Sequence, residues 1–361
     1  MIELDSLDLR YRYRTLFNGY PIVNEASCHC IPLAGKCSYN NDKVYIDEYY
    51  GRCYTGNFLN EIYALYGDNS MNYYNHGAIV KAPIIDYLRV PYRKIPVYKV
   101  DTLSEIETYI EQMIKNNPDY KILFRGQTSE YNIPRKNQEK SYLYGENTIK
   151  EPSFLPSFSR QDISYGKVIS VWHNIASILL KELDILDLES TIIQRSTERF
   201  NLFALGIAQH YGLPSVGLDL TDNLSVALWF AINSVQYSSS KPVHAEIIPK
   251  ENQTAHIYIF KCPINTIFNY LYVIRDLGIH RPKAQSAFFN YCGWGLARNQ
   301  LALNLMCAFR VDSTFSKFLP KNYTNALFPP IEVDKVLQVL LRIKESYKGT
   351  EIGNMLESIY L

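Results

Sequence analysis

Tyr120-Lys121-Ile122-Leu123-Phe124-Arg125-Gly126-Gln127 is a short apolar run that ends in an arginine and a glycine. A run of this length reads as a buried strand, and Pro118 just before it closes the preceding helix. An arginine leaving a buried strand calls for an anionic partner, because guanidinium keeps its proton and its fork of donors matches phosphate or carboxylate. A structural carboxylate answers that description as well as a ligand does. Gly126, lacking a Cβ, lets a flat amide or ring come close to its backbone.

Upstream, Thr102 and Glu105 form a capping-box pair, and Leu103, Ile106, Ile110, Met113 and Ile114 recur at helical spacing, which predicts a helix over 102–114. Residues 1–100 are rich in Tyr, Asn and turn signals, with Pro91 and Pro96 in an extended run from Tyr87 to Val100. They read as an irregular or β-containing N-terminal region of open role, and residues 101–361 as the main domain. Downstream, 127–150 is a polar loop suited to covering a site. Val168 to Leu186 and Glu198 to Gln209 read as helices. Gly212-Leu213-Pro214 is a turn, Ser215 to Leu220 a strand and Leu224 to Ile232 an apolar helix. An excursion over Ser234 to Thr254 follows. Strands are then predicted over Ala255 to Lys261, Gln285 to Tyr291 and Leu305 to Val311. A terminal helix spans Ile331 to Ile343, with Val333 on its apolar face. The class is α+β.

With 361 residues, 47% hydrophobic and 20% charged, the chain suits one large domain or two small ones. A net charge of +1 excludes a generally basic coat, so a polynucleotide partner must be held by a local patch and by stacking. Thirty tyrosines permit stacking and equally serve strands and core edges. No secretion signal opens the sequence and no stretch is long enough to span a bilayer, so a cytoplasmic protein without membrane contact is expected. Seven cysteines, an odd number, fit reduced thiols. Cys28, Cys30, Cys37 and Cys53, with His29 among them, depart from zinc-site spacing, and no metal is expected. Phosphate-loop, His-Glu-x-x-His and Gly-x-Ser-x-Gly motifs are missing from the sequence.

The densest polar cluster is Gln209-His210-Tyr211-Gly212-Leu213-Pro214, leading into Leu218-Asp219-Leu220-Thr221-Asp222-Asn223. Asp219 lies inside a hydrophobic strand, where a carboxylate must be paired or face a cleft, so it is either a structural acceptor or a site residue. Asn223 suits a helix N-cap. His210 is either a core histidine holding a carbonyl or a ligand group. In Arg281-Pro282-Lys283-Ala284-Gln285, the glutamine offers an amide to a sugar hydroxyl, with Arg281 or Lys283 meeting phosphate or simply solvated.

Three ordered segments together resemble the FRG-domain family of bacterial and phage proteins. They are Phe124-Arg125-Gly126-Gln127 with Leu155-Pro156-Ser157 and Arg160; Ala208 to Pro214 with Leu218 to Thr221 and Ala227 to Ala231; and Arg281 to Phe289. The tail Leu327-Phe328-Pro329-Pro330 extends the likeness, which covers roughly residues 100–345. A weaker resemblance links the order of these segments to the Arg-Ser-Glu scheme of ADP-ribosyltransferases. That resemblance implies a mixed or split β-sheet core with flanking helices, and NAD as substrate. It makes Arg125, Thr221 and Gln285 the catalytic set, with Asp219 or Glu246 supplying a carboxylate that Gln285 lacks. It gives Arg125, Gly126, Gln127, Gln209, His210 and Tyr211 to NAD binding. It further implies a toxin or antiphage effector with an antitoxin-like partner, and the aromatic excess, the Tyr- and Arg-bearing segment Tyr11 to Arg14 and the absence of acidic runs favour RNA ahead of protein as the acceptor. A nucleotide-sensing module and an NAD glycohydrolase are the alternatives.

Overall fold

The computed structural model describes residues 30–32, 44–47, 53–55, 81–90, 93–118, 120–137, 140, 149–158, 165–183, 197–215, 217–252, 254–263, 267–269, 279–291 and 299–361. Strands β1 (Cys30–Pro32), β2 (Val44–Asp47) and β3 (Cys53–Thr55) pair antiparallel in a small sheet of their own. Then come β4 (Ile84–Val90), β5 (Arg93–Lys99), α1 (Leu103–Asn116), β6 (Tyr120–Gln127), α2 (Tyr165–Glu182) and α3 (Thr197–His210). β7 (Gly217–Thr221) leads into α4 (Leu224–Ile232), the hairpin β8 (Asn233–Gln236) and β9 (His244–Ile247), β10 (His256–Pro263) and β11 (Ile267–Asn269). α5 (His280–Ala284), β12 (Ala287–Tyr291), β13 (Leu305–Arg310), α6 (Tyr323–Leu327), α7 (Lys335–Ser346) and α8 (Glu351–Met355) complete the order.

Eight strands form one mixed sheet in the order β11-β12-β7-β6-β10-β13-β5-β4, antiparallel throughout except for the parallel pair β13–β5. The fold is α+β. Its sheet crosses the position near residue 100 where the sequence divides, because β4 and β5 add to it through Ala308↔Val97 and its neighbours. β6 is the central strand, and its period-2 alternation serves two cores at once. Ile122 and Phe124 face α1 and α4, where they meet Ile106, Ile110, Ala227 and Ala231. Leu123 faces the other way, toward Tyr258, Phe260, Phe154 and Ala302. A third core gathers α2, α3 and α7 around Trp172, against Ala287 and Phe289 of β12. Full burial of a side chain such as Leu179 or Phe203 contributes about 1.5–3 kcal/mol.

Helix limits follow their caps. Thr102 and Glu105 close the expected capping box at α1. α7 starts at Lys335, later than predicted, because Asp334 provides the N-cap, its carboxylate accepting from the Leu337 N–H, and Val333 is left exposed. The excursion over 234–254 is structured: it contains the β8–β9 hairpin and a short 3-10 turn over Lys250–Asn252. The strand expected from Gln285 begins two residues later, since Gln285 caps α5 and Ser286 takes a positive φ of 44°. Tyr11 to Arg14, Cys28, His29, Cys37 and Arg160 lie outside the described residues. Among the described residues, no group of three or more His, Cys, Asp or Glu is placed to hold a metal ion, and no helix is long and apolar enough to cross a membrane.

Candidate functional site

β6 and β7 pair through a single register position, Phe124↔Thr221, and part beyond it. Arg125 fills the parting: its Nη1 donates to the carbonyl oxygen of Asp219 at 2.7 Å. An anion was the partner expected of this arginine, and the structure gives its Nη1 a strand carbonyl. Gly126 is also demanded by the fold more than by a ligand. A Cβ there would lie 1.8 Å from the carbonyl oxygen of Ala227 and 2.6 Å from the nitrogen of Ala231, so only glycine lets α4 cross β6 this closely.

The turn from β7 into α4 is fastened by side chains. Thr221 Oγ1 donates to the carbonyl of Gln285 at 2.8 Å and accepts from the Asn223 N–H at 3.0 Å. Asn223 Oδ1 then accepts from the N–H groups of Ser225 and Val226, the N-cap expected of it. The contact with Gln285 is thus to its backbone. Its side-chain Nε2 donates to the carbonyl of Leu327 at 3.1 Å.

Asp219 brings the charge. Gln209 Nε2 donates to its Oδ2 at 2.9 Å. His210 Nε2 stands 3.4 Å from Oδ1, outside hydrogen-bonding geometry, and Oδ1 is a buried oxygen that accepts no hydrogen bond from the protein. His210 is fully enclosed at the end of α3. Burial pushes its pKa below the ordinary histidine value, Asp219 opposes that shift and Arg281 adds to it, so the ring is neutral at pH 7.

These groups line a cavity of about 390 Å³, within the size range of small-molecule sites. Arg125, Gly126, Gln209, His210, Asp219, Thr221 and Gln285 all border it, and among the described lining residues Asp219 is the sole carboxylate. Three expected site residues do not. Gln127 ends β6 opposite His256, away from the lining. Tyr211 points into the core, where its hydroxyl donates to Asp334 at 2.9 Å. Glu246 sits exposed on β9 beside His244 at 3.0 Å. Arg281 is fully buried, 3.3 Å from Asp334 and 4.8 Å and 4.9 Å from the ring centroids of Tyr211 and Tyr360, so it is a core cation and not a phosphate ligand.

An aromatic wall completes the lining: Phe230, Tyr237, Phe328 and Tyr360. Phe230 and Phe328 stand in segments that carry the family likeness. Tyr237 and Tyr360 give no sequence signal, since they reach the cavity only through the β8–β9 hairpin and a tail segment. Tyr360 is tied there by its hydroxyl, which donates to the carbonyl of His210 at 2.9 Å, and by Arg281 Nη1, which donates to its carbonyl at 3.2 Å.

A mixed sheet parted between two central strands, with an arginine in the parting and a carboxylate beside it, makes this an α+β protein with a polar-aromatic cavity at the parting. The family model of the FRG domain matches residues 120–240. The matched segment takes in Arg125, Asp219, Thr221 and Tyr237, while Gln285, Phe328 and Tyr360 follow it. No curated protein and no solved structure matches the chain.

Proposed function

We propose that the cavity is the site of an NAD-dependent ADP-ribosyltransferase, and that the parting of β6 from β7 corresponds to the split sheet of that superfamily. The observation that carries this reading is Asp219 Oδ1, a buried, unpartnered carboxylate oxygen in a cavity that also holds a guanidinium and aromatic rings. In this reading Asp219 takes the part expected of a glutamate. Gln285 is turned to Leu327 and Glu246 lies away on β9. A ribose hydroxyl would donate to Oδ1, and the carboxylate would offset the positive charge that grows on the ribose as its bond to nicotinamide lengthens. An acceptor oxygen or nitrogen then bonds the ribose carbon, nicotinamide leaves, and the acceptor's proton passes to water. The acceptor we favour is RNA ahead of protein, the cellular role a toxin or antiphage effector restrained by an antitoxin-like partner.

A noncatalytic nucleotide-sensing module is the second reading, favoured by the engagement of Arg125 with a backbone carbonyl. NAD labelled in its adenylate half, incubated with the purified chain and separate RNA, DNA and protein fractions, tests both. Nicotinamide release with label on one fraction is expected, falling about 100-fold in Asp219→Asn. Label appearing only as free ADP-ribose would mark a glycohydrolase. Tight NAD binding without release would establish the sensing module, and an Asp219→Asn variant as active as the parent would remove the carboxylate from the chemistry.

A further inference from the structure

Tyr237 directly follows β8 and is among the large hydrophobic side chains left open to solvent, with 51% of its surface exposed, yet it lines the cavity. Its ring neighbours are inclined to it. The Tyr360 ring lies 4.4 Å away at 53°, the Phe328 ring 6.1 Å away at 70°, and these two are themselves inclined at 63°. Neither described ring neighbour lies parallel to Tyr237, so neither is a stacked partner of it. The hairpin that carries it is pinned: the Leu361 N–H donates to Ser238 and the Val243 N–H donates to Leu361, both at 3.0 Å. A flat, braced, half-exposed ring costs little ordering entropy when another ring settles on it.

We infer that Tyr237, backed by Phe328 and Tyr360, is a stacking platform for a nucleobase at the mouth of the cavity. The chemistry of the cavity selects this ligand class: a planar heteroaromatic ring for the tyrosine, and hydroxyl donors for the unpartnered Oδ1 of Asp219. The base belongs either to the adenosine half of a dinucleotide or to an unstacked position of a single-stranded polynucleotide. The inference rests on the reading of the cavity as a nucleotide site, and it requires no turnover.

Calorimetry with AMP and with ribose 5-phosphate, and fluorescence anisotropy with a labelled 12-nucleotide oligoribonucleotide, would be run on the full chain, Tyr237→Ala and Tyr237→Trp, after thermal melting shows all three folded. At least one base-bearing probe should bind the parent, lose about tenfold or more in affinity in Tyr237→Ala, and be retained in Tyr237→Trp. Dependence seen with AMP and not with ribose 5-phosphate assigns the adenine of a dinucleotide; dependence confined to the oligoribonucleotide assigns a polynucleotide base. Equal binding by parent and Tyr237→Ala overturns the platform, as does binding of ribose 5-phosphate as tight as AMP with no oligoribonucleotide effect. Failure of every probe to bind the parent also overturns it. Nicotinamide release by that same preparation would still leave the transferase reading standing.

Discussion

Gly126 and Asp219 show how differently neighbouring positions carry meaning. Gly126 sits under the backbone of α4, where the missing Cβ is a packing requirement. Gly126→Ala must push a helix off the central strand, and a loss of about 3 kcal/mol is expected. Urea unfolding measures it, and an unchanged midpoint would mean that α4 does not approach β6 so closely. The arginine-glycine pair was legible as a strand end of importance, but the reason for each residue was not. Arg125 meets a carbonyl 94 positions along the chain and Gly126 meets a helix roughly 100 positions away, contacts that only the tertiary fold creates. Asp219 was legible as a polar residue in an apolar strand, with two readings open; it borders the cavity, as Glu246 does not, and Gln285, which borders it too, has its amide turned to the Leu327 carbonyl.

At the level of elements, caps were the most readable feature because they are local. Thr102 with Glu105, and Asn223, do in the structure what their sequence positions announce. Asp334 was not foreseen, and it has three duties: N-cap of α7, acceptor for the Tyr211 hydroxyl, and counter-ion of Arg281, with both charges fully buried. Removing one member of such a pair strands the other in the core. Asp334→Ala is expected to cost about 3–5 kcal/mol, and the double change Asp334→Leu with Arg281→Met to recover part of it. Denaturant titration of the three proteins checks this. A double variant less stable than Asp334→Ala would contradict the assignment of the loss to a stranded charge.

For the molecule as a whole, acid stability follows from buried imidazoles. His256, with no exposed surface, has its pKa lowered to about 4 by burial, with Arg310 adding to the shift and Glu130 opposing it; His210 moves the same way. Between the unfolded value near 6.5 and about 4, the unfolded chain binds more protons than the folded one. Stability is therefore full above about pH 6.5 and declines as pH falls, by about 3 kcal/mol for His256 once both values are passed. Unfolding midpoints from pH 7 to 4.5 should fall more steeply for the parent than for His256→Leu; parallel profiles would exclude this origin. The strand set itself was largely readable from alternation and breakers. The inclusion of β4 and β5 was not, because a parallel pairing of residues 97–99 with 308–310 leaves no local trace.

The strand order has one more consequence, for where this fold can be divided. β6 lies within the family match, but one of its two long edges is paired along all eight residues to β10, which begins at His256, beyond residue 240. The other edge is held at one position only. The matched segment is thus a recognisable signature without being a self-sufficient folding unit: cut out at its own limits, it would present its most apolar strand with a bare hydrogen-bonding edge, the kind of surface on which chains of this sort adhere to one another.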